Sequence, residues 1–260
     1  MKKKILITAA LLLTFSVTAI ELFNYKKTTR ETSHIEPVLI KADVFDNYKK
    51  TDFHYDIASR FFAITKAHLS QAKTLADIVP ENALAELTNF TDITITALYE
   101  NNEMTEAGTS DKLNDAQISL IHGMEYSTNY VVKSKCKYKN PDTGVIEDYD
   151  FVYYLTVGPE HIATYIDGKQ ALIDYLESES KGEIKHLKRD KLQPGKIEFT
   201  INTNGEIEQV GLQATSGFAH VDRRMIELIQ QAPGKWKPAT DENDNVVSQK
   251  IIYSFGIIGC

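Results

Sequence analysis

Polar and apolar positions change rhythm several times along this 260-residue chain, and each rhythm predicts a different element. The first is a nearly unbroken apolar run, Ile5 to Ile20, behind Lys2, Lys3 and Lys4; Glu21 interrupts it before Leu22-Phe23-Asn24-Tyr25. A basic flank ahead of an apolar stretch is an export signal. Two forms of it are open. Val17-Thr18-Ala19 supplies the small residues of a cleavage site, with cleavage after Ala19. Alternatively, Ile5 to Tyr25 reaches the ~20 residues that a bilayer requires, and Phe23 and Tyr25 fall at the far interface as aromatic anchors. An anchor over residues 1–25 is the reading adopted, with the three lysines holding the N-terminus in the cytoplasm and the rest of the chain exported.

Lys26 to about Asp52 is polar and without a clear period, as a linker is; a flexible stretch of that length spans about 30 Å on average. A first domain is expected over residues 53–161. Ile57, Phe61, Ile64, His68, Ala72 and Leu75 recur at helical spacing and predict an amphipathic helix from Asp56 to Asp77. Pro80 suits the first position of a short helix running to Leu87. Ile93, Ile95, Ala97 and Tyr99 alternate with polar residues, the pattern of a half-buried strand. Asn101 to Ser110 reads as a loop, and Asp111 as the cap of a short helix to Ile121. Tyr126 to Tyr138 and Val145 to Val157 are strand-like and flank Asn140-Pro141-Asp142-Thr143-Gly144, which predicts a long hairpin.

A second domain is expected over residues 162–260. Gln170 to Glu179 reads as a helix, and Gly182 to Lys191 as a polar connection. Strands are expected at Lys196 to Asn202 and Glu206 to Ala214, joined at Thr203-Asn204-Gly205 by a type I′ turn, for which Asn-Gly supplies the positive φ. Thr215-Ser216-Gly217 breaks the second strand. Val221 to Gln230 is a helix with Val221, Met225, Leu228 and Ile229 facing a core, and Val246 to Phe255 closes the chain as a third strand. The fold class is α+β: a membrane segment, a domain of helices followed by an antiparallel sheet, then a β-β-α-β domain. There are no internal repeats.

Composition narrows the function. Hydrophobic residues at 42% and charged residues at 25% are those of an ordinary globular protein. A net charge of −7 with no basic stripe argues against nucleic acid as a partner. Cys136 and Cys260 have no zinc-ligand spacing; in an exported chain they either form one disulfide or stay as two free thiols. No Gly-Xaa-Ser-Xaa-Gly, phosphate loop or His-Glu-Xaa-Xaa-His occurs, and the seven histidines are dispersed. His68 reads as a core or boundary residue. Asp148 and Asp150 share a strand face, where solvated charge is a better account of them than acid–base work. No enzyme, metal or cofactor is therefore expected.

From about Thr164 to Phe255 the motifs fall into a known order. Lys196-Ile197-Glu198-Phe199-Thr200-Ile201 with Asn204-Gly205-Glu206-Ile207, then Thr215-Ser216-Gly217, Val221-Asp222, and Trp236-Lys237-Pro238-Ala239, followed by a last strand, resemble the C-terminal domain of the TonB energy-transducer family. Tyr165-Ile166-Asp167-Gly168-Lys169-Gln170-Ala171-Leu172 resembles the helix that precedes that domain in some members. The resemblance covers about a third of the chain, and residues 53–161 are not part of it. Physically, Trp236 suits a packed position between helix and sheet, Pro238 a stop, Asn204, Gly205, Ser216 and Gly217 turn geometry, and Asp222 the positive end of a helix.

The resemblance implies a periplasmic protein, tethered in the inner membrane, whose last strand is an edge that pairs with an extended peptide of an outer-membrane TonB-dependent transporter. Here that strand is Val247, Ser248, Gln249, Lys250, Ile251, Ile252 and Tyr253, running on to Phe255, with Lys250 guarding the edge. The chain departs from the family in two places. The membrane segment has Ser16 but Ile20 where the family carries its proton-coupling histidine, and no Pro-rich spacer follows. Both departures count against coupling to the inner-membrane motor complex. Two other roles compete: a scaffold that forms a homodimer through the same domain, and ligand binding by residues 53–161.

Overall fold

A computed structural model describes residues 53–258; the export segment, the linker, Ser16, Ile20 and Cys260 lie outside the described residues. Among the described residues, thirteen strands, five helices and two short 3-10 turns build two main sheets. No helix among the described residues is long and apolar enough to cross a membrane.

The five-stranded sheet holds β2 (Phe62–Thr65), β3 (Leu87–Tyr99), β4 (Asn102–Gly108), β5 (Asn129–Lys139) and β6 (Ile146–Gly158), in the order β2-β6-β5-β3-β4. All neighbours are antiparallel except β2, which runs parallel to β6. Alternation puts Ile93, Ile95 and Ala97 of β3, Tyr130 and Val132 of β5, and Phe151 and Leu155 of β6 on one buried face. Leu75, Ile78 and Val79 cover that face, together with Leu120, Ile121 and Met124 from or just beyond helix α3 (Asp115–Gly123). The buried Tyr130 phenol donates to the Ile78 carbonyl at 3.0 Å, so the cover is hydrogen-bonded as well as packed. α3 begins at a reciprocal cap: Asn114 Oδ1 accepts from Gln117 N and Gln117 Oε1 accepts from Asn114 N.

The four-stranded sheet holds β1 (His54–Ala58), β8 (Pro194–Ile201), β9 (Ile207–Ala214) and β13 (Gln249–Gly256), in the order β1-β13-β8-β9, all antiparallel. Helices α4 (Lys169–Ile184) and α5 (Ala219–Gln230) contribute to its core. α5 presents Val221, Met225, Leu228 and Ile229 to Ile197, Phe199, Ile251 and Tyr253. Full burial of each such side chain is worth about 1.5–3 kcal/mol, so the helix is held by its inward face rather than by its own propensity. Two-stranded ribbons, β7 (Thr164–Tyr165) with β10 (Trp236–Lys237) and β11 (Ala239–Thr240) with β12 (Val246–Val247), complete the fold. Short helices α1 (Lys66–Leu69) and α2 (Glu81–Leu84) lie beside the first sheet.

Several expectations are corrected. The helix expected from Asp56 to Asp77 is instead β1, β2, α1 and a 3-10 turn at 75–77. Its apolar spacing arose because consecutive short elements each contribute one or two inward residues. β1 also leaves the domain to which it was assigned, since Ile57 belongs to the core of the four-stranded sheet. The stretch expected as a loop, Asn101 to Ser110, contains β4, an exposed strand whose pairing with β3 does not depend on an apolar face. Asn114, not Asp111, caps α3. His68 is exposed rather than at a core boundary. The β8–β9 turn is not type I′: Gly205 has φ +78 but Asn204 is not left-handed. Asn202 Oδ1 accepts from Asn204 N and Glu206 N instead, so an Asx-type turn ending on glycine makes the reversal.

Candidate functional site

Strand β13 is where the last-strand expectation meets the structure. Ile251, Tyr253 and Phe255 point into the core, and Lys250, Ile252 and Ser254 away from it. The strand is not an open edge. On one side it pairs with β8 along its whole length; on the other, β1 pairs with Ile252 to Gly256. Beyond the end of β1, the Lys250 backbone N–H donates to Ser127 Oγ at 2.9 Å, and Gln249 Oε1 accepts from Ala163 N at 2.7 Å. Val247 lies in the β11–β12 ribbon and Ser248 is exposed. The open edges of this sheet, among the described residues, are β1 and β9.

β1 is fixed by specific partners. Phe53 stacks on Phe255 and Tyr55 on Tyr253, with ring centroids 6.4 and 6.5 Å apart. The Tyr55 hydroxyl lies 2.8 Å from Ser180 Oγ, and that serine donates to the Leu176 carbonyl. Burial pushes the Tyr55 phenol up to about 12, against a smaller opposing effect of the Ser180 hydrogen bond. Asp56 accepts from Lys169 Nζ at 2.6 Å. Lys250 likewise reads differently from the sequence expectation. Its ammonium reaches Glu100 Oε1 at 2.8 Å and Glu198 Oε1 at 3.3 Å, joining the two sheets rather than guarding an edge.

The motif residues all take structural positions. Asp222, buried, accepts from Ser216 N (2.9 Å), Ser216 Oγ (2.6 Å) and Thr215 Oγ1 (2.5 Å), tying the end of β9 to the first turn of α5. Gly217 (φ +86) makes the turn between them. A Cβ on Gly205 would run into the Trp236 carbonyl, so the β8–β9 turn and the Trp-Lys-Pro segment are pressed together, with Pro238 alongside. Trp236 is 7% exposed and crosses Tyr165 and Phe199 nearly edge-on, at 5.5 and 5.8 Å. Among the described residues its indole N–H has no hydrogen-bond acceptor; the crossed rings of Tyr165 and Phe199 lie beside it, and aromatic faces accept N–H groups weakly. Cys136 is a buried free thiol on β5, pushed up to about 11 by burial first and by Asp150 second, while Cys260 is outside the described residues.

Two cavities adjoin β13. One, about 230 Å³, is mainly apolar and lies among β1, β13 and the start of α4. The other, about 700 Å³, is a cleft between the faces of the two sheets that are turned away from their cores. Leu98, Asn129 and Tyr154 form the wall from the five-stranded sheet, and Glu198, Gln213 and Lys250 the wall from the four-stranded one. Arg60 and Phe61, from the short link between β1 and β2, close one side. Tyr126, also in the lining, has its phenol held above the ordinary range by burial and by Glu242, Asp241 and Glu125. Among the described residues no group of three His, Cys, Asp or Glu side chains is placed to hold a metal ion. Asp148 is exposed and paired with Lys137 at 2.5 Å, and Asp150 is exposed as well.

Sequence reasoning named neither β1 nor this cleft. One signal was available for the first: Ile252 is an apolar residue on the outward face of β13, and it is buried. Comparison of the chain with protein-family models, with curated proteins and with solved structures found no match.

Proposed function

We propose that this chain is a non-enzymatic partner-binding protein of the bacterial envelope, held in the inner membrane by residues 5–25, with a TonB-like C-terminal domain facing the periplasm. The observation that carries the reading is the order β13-β8-β9 with α5 against one face of the sheet, built around Trp236 and the Asp222 turn. The partner is an outer-membrane TonB-dependent transporter, bound by strand addition at β13. Because β1 already pairs with β13, addition there is an exchange in which β1 gives way to the incoming strand. The absence of the coupling histidine at Ile20 leaves the motor complex outside this proposal.

The same occupation of β13 favours a second reading, a scaffold in which β1 permanently completes the sheet and the domain associates only with copies of itself through β9. Photo-crosslinking in intact cells separates the two. A photoreactive residue replaces the exposed Ser248, or the exposed Leu212 on β9. Capture of a transporter through its N-terminal segment supports transporter binding; capture of this chain alone supports the scaffold, and capture of neither sinks the transporter reading. A second variant, Asp56→Cys with Ser254→Cys, bridges directly opposed positions of β1 and β13. If exchange is required, the oxidised form loses transporter capture and reduction restores it.

A further inference from the structure

The 700 Å³ cleft between the two sheets is of the size that holds a small-molecule ligand, about 300–1,000 Å³. Its walls are sheet faces, so the backbone groups there are already committed to the ladders: Leu98 pairs with Asn129, Asn129 with Thr156, and Glu198 with Ile252. An extended peptide could join a ladder only at the open edge β9, so recognition between the sheet faces falls to side chains. Those side chains are of two kinds. Tyr154 is 47% exposed and backed by Phe61 at 5.3 Å between ring centroids, and Tyr99 is 36% exposed. Aromatic surface left open inside a polar cleft suits a ligand with an apolar face and a polar rim.

The charged groups are mutually neutralised. Arg60 lies 3.9 Å from Glu198, and Lys250 bridges Glu198 and Glu100. Neither cation is left uncompensated for a phosphate, and the paired carboxylates are not gathered for a metal. What they retain is hydrogen-bonding capacity, to which Gln213 adds an exposed amide and Asn129 an amide whose Oδ1 already accepts from Thr156 Oγ1 at 2.7 Å. Stacking surface, amides and compensated charges together match an uncharged polyhydroxylated ring.

We propose that the cleft binds a neutral oligosaccharide of a few sugar units, stacked on Tyr154 and read by Gln213, Asn129 and the Arg60–Glu198 pair. Binding here requires no strand addition at β13, so failure of either proposal leaves the other standing, although exchange of β1 would shift Arg60 and Phe61 in the cleft wall.

The test uses the full-length chain in a sugar-free detergent and ligand-detected NMR with three probes: triacetylchitotriose, maltotriose and a blocked alternating Thr-Val hexapeptide. At least one trisaccharide is expected to bind with a dissociation constant of about 1 mM or tighter. Tyr154→Ala and Gln213→Ala each weaken binding about tenfold or more, the scale of losing one anchor residue, with the unfolding midpoint unchanged in Gln213→Ala. Gln213 is exposed on β9, so its substitution keeps the test decisive even if Tyr154→Ala disturbs the packing of Phe61. Binding of neither trisaccharide, sugar binding that survives both substitutions, or binding of the hexapeptide in place of the sugars overturns the proposal.

Discussion

β1 and β2 are separated by Ser59, Arg60 and Phe61, yet they complete different sheets by opposite rules. β1 runs antiparallel to β13, buries Ile57 and ties itself down through Tyr55 and Asp56. β2 runs parallel to β6 and leaves Phe62 at 58% exposure. Each sheet is otherwise an antiparallel block of nearby chain: β3 to β6 in one, β8, β9 and β13 in the other. Each block has one side closed by a strand from residues 54–65. The lesson is that a short segment chooses its partners by which edges the contiguous blocks leave unpaired. The link between the two strands then fixes how the sheets face each other, and Arg60 and Phe61 consequently line the cleft.

The comparison can be broken most directly at its buried point. Ile57→Ala removes the inward anchor of β1 and is expected to cost about 2–5 kcal/mol in denaturant unfolding, as truncation of a buried aliphatic does. A cost below about 1 kcal/mol would mean that β1 rests on the sheet without being part of its core. Asp222→Asn tests the contiguous block instead. The amide cannot accept all three donors that Asp222 satisfies, and the expected loss is about 1–3 kcal/mol. A calorimetric transition unchanged from the parent would show that the β9–α5 turn holds without its carboxylate.

Smaller effects sharpen the comparison where the two sheets meet. The Glu100 hydrogen bond chiefly holds the Lys250 ammonium above its ordinary 10.5. A raised cationic pKa stabilises the fold fully below that ordinary value, and the contribution is lost as pH rises through the raised one. The Lys250 hydrogen bond holds the Glu100 carboxyl below its ordinary 4.5, so its contribution is present above that value and lost as pH falls through the lowered one. Both groups meet solvent, so the effect is small and salt-screened. Lys250→Met should flatten the alkaline limb of the stability profile and reduce its salt dependence; an unchanged profile would show that the bridge contributes nothing. The smallest effect belongs to β2: Phe62→Ala should change stability by no more than about 0.5 kcal/mol. A larger loss would show that this exposed ring is covered by something outside residues 53–258.

Legibility in the sequence followed reach. The β8–β9 hairpin, α5 and β13 could be read because their signals are local: Asn204-Gly205, Thr215-Ser216-Gly217, and an inward stripe from Val221 to Ile229. The β5–β6 hairpin was legible for the same reason, with Asn140 Oδ1 accepting from Asp142 N and Thr143 N in its loop. The site was less legible. The candidate strand was placed correctly from Gln249 onward, while Val246 and Val247 pair with β11 instead; whether its edge is open depends on β1, nearly two hundred residues earlier, and nothing local to residues 247–255 carries that information.

By itself, then, the sequence determined where the chain alternates, turns and caps, because side-chain period, glycine conformation and short polar hydrogen bonds act within a few residues. It also marked Trp236 as a packed residue and Asp222 as a charge in the first turn of a helix. Only the tertiary structure decided that β1 lies along β13, that Lys250 bridges Glu100 and Glu198, and that two outward sheet faces enclose a cleft. Those outcomes depend on which backbone edges and side-chain faces remain unpaired once the local elements have formed, and that is a property of the assembled chain rather than of any segment.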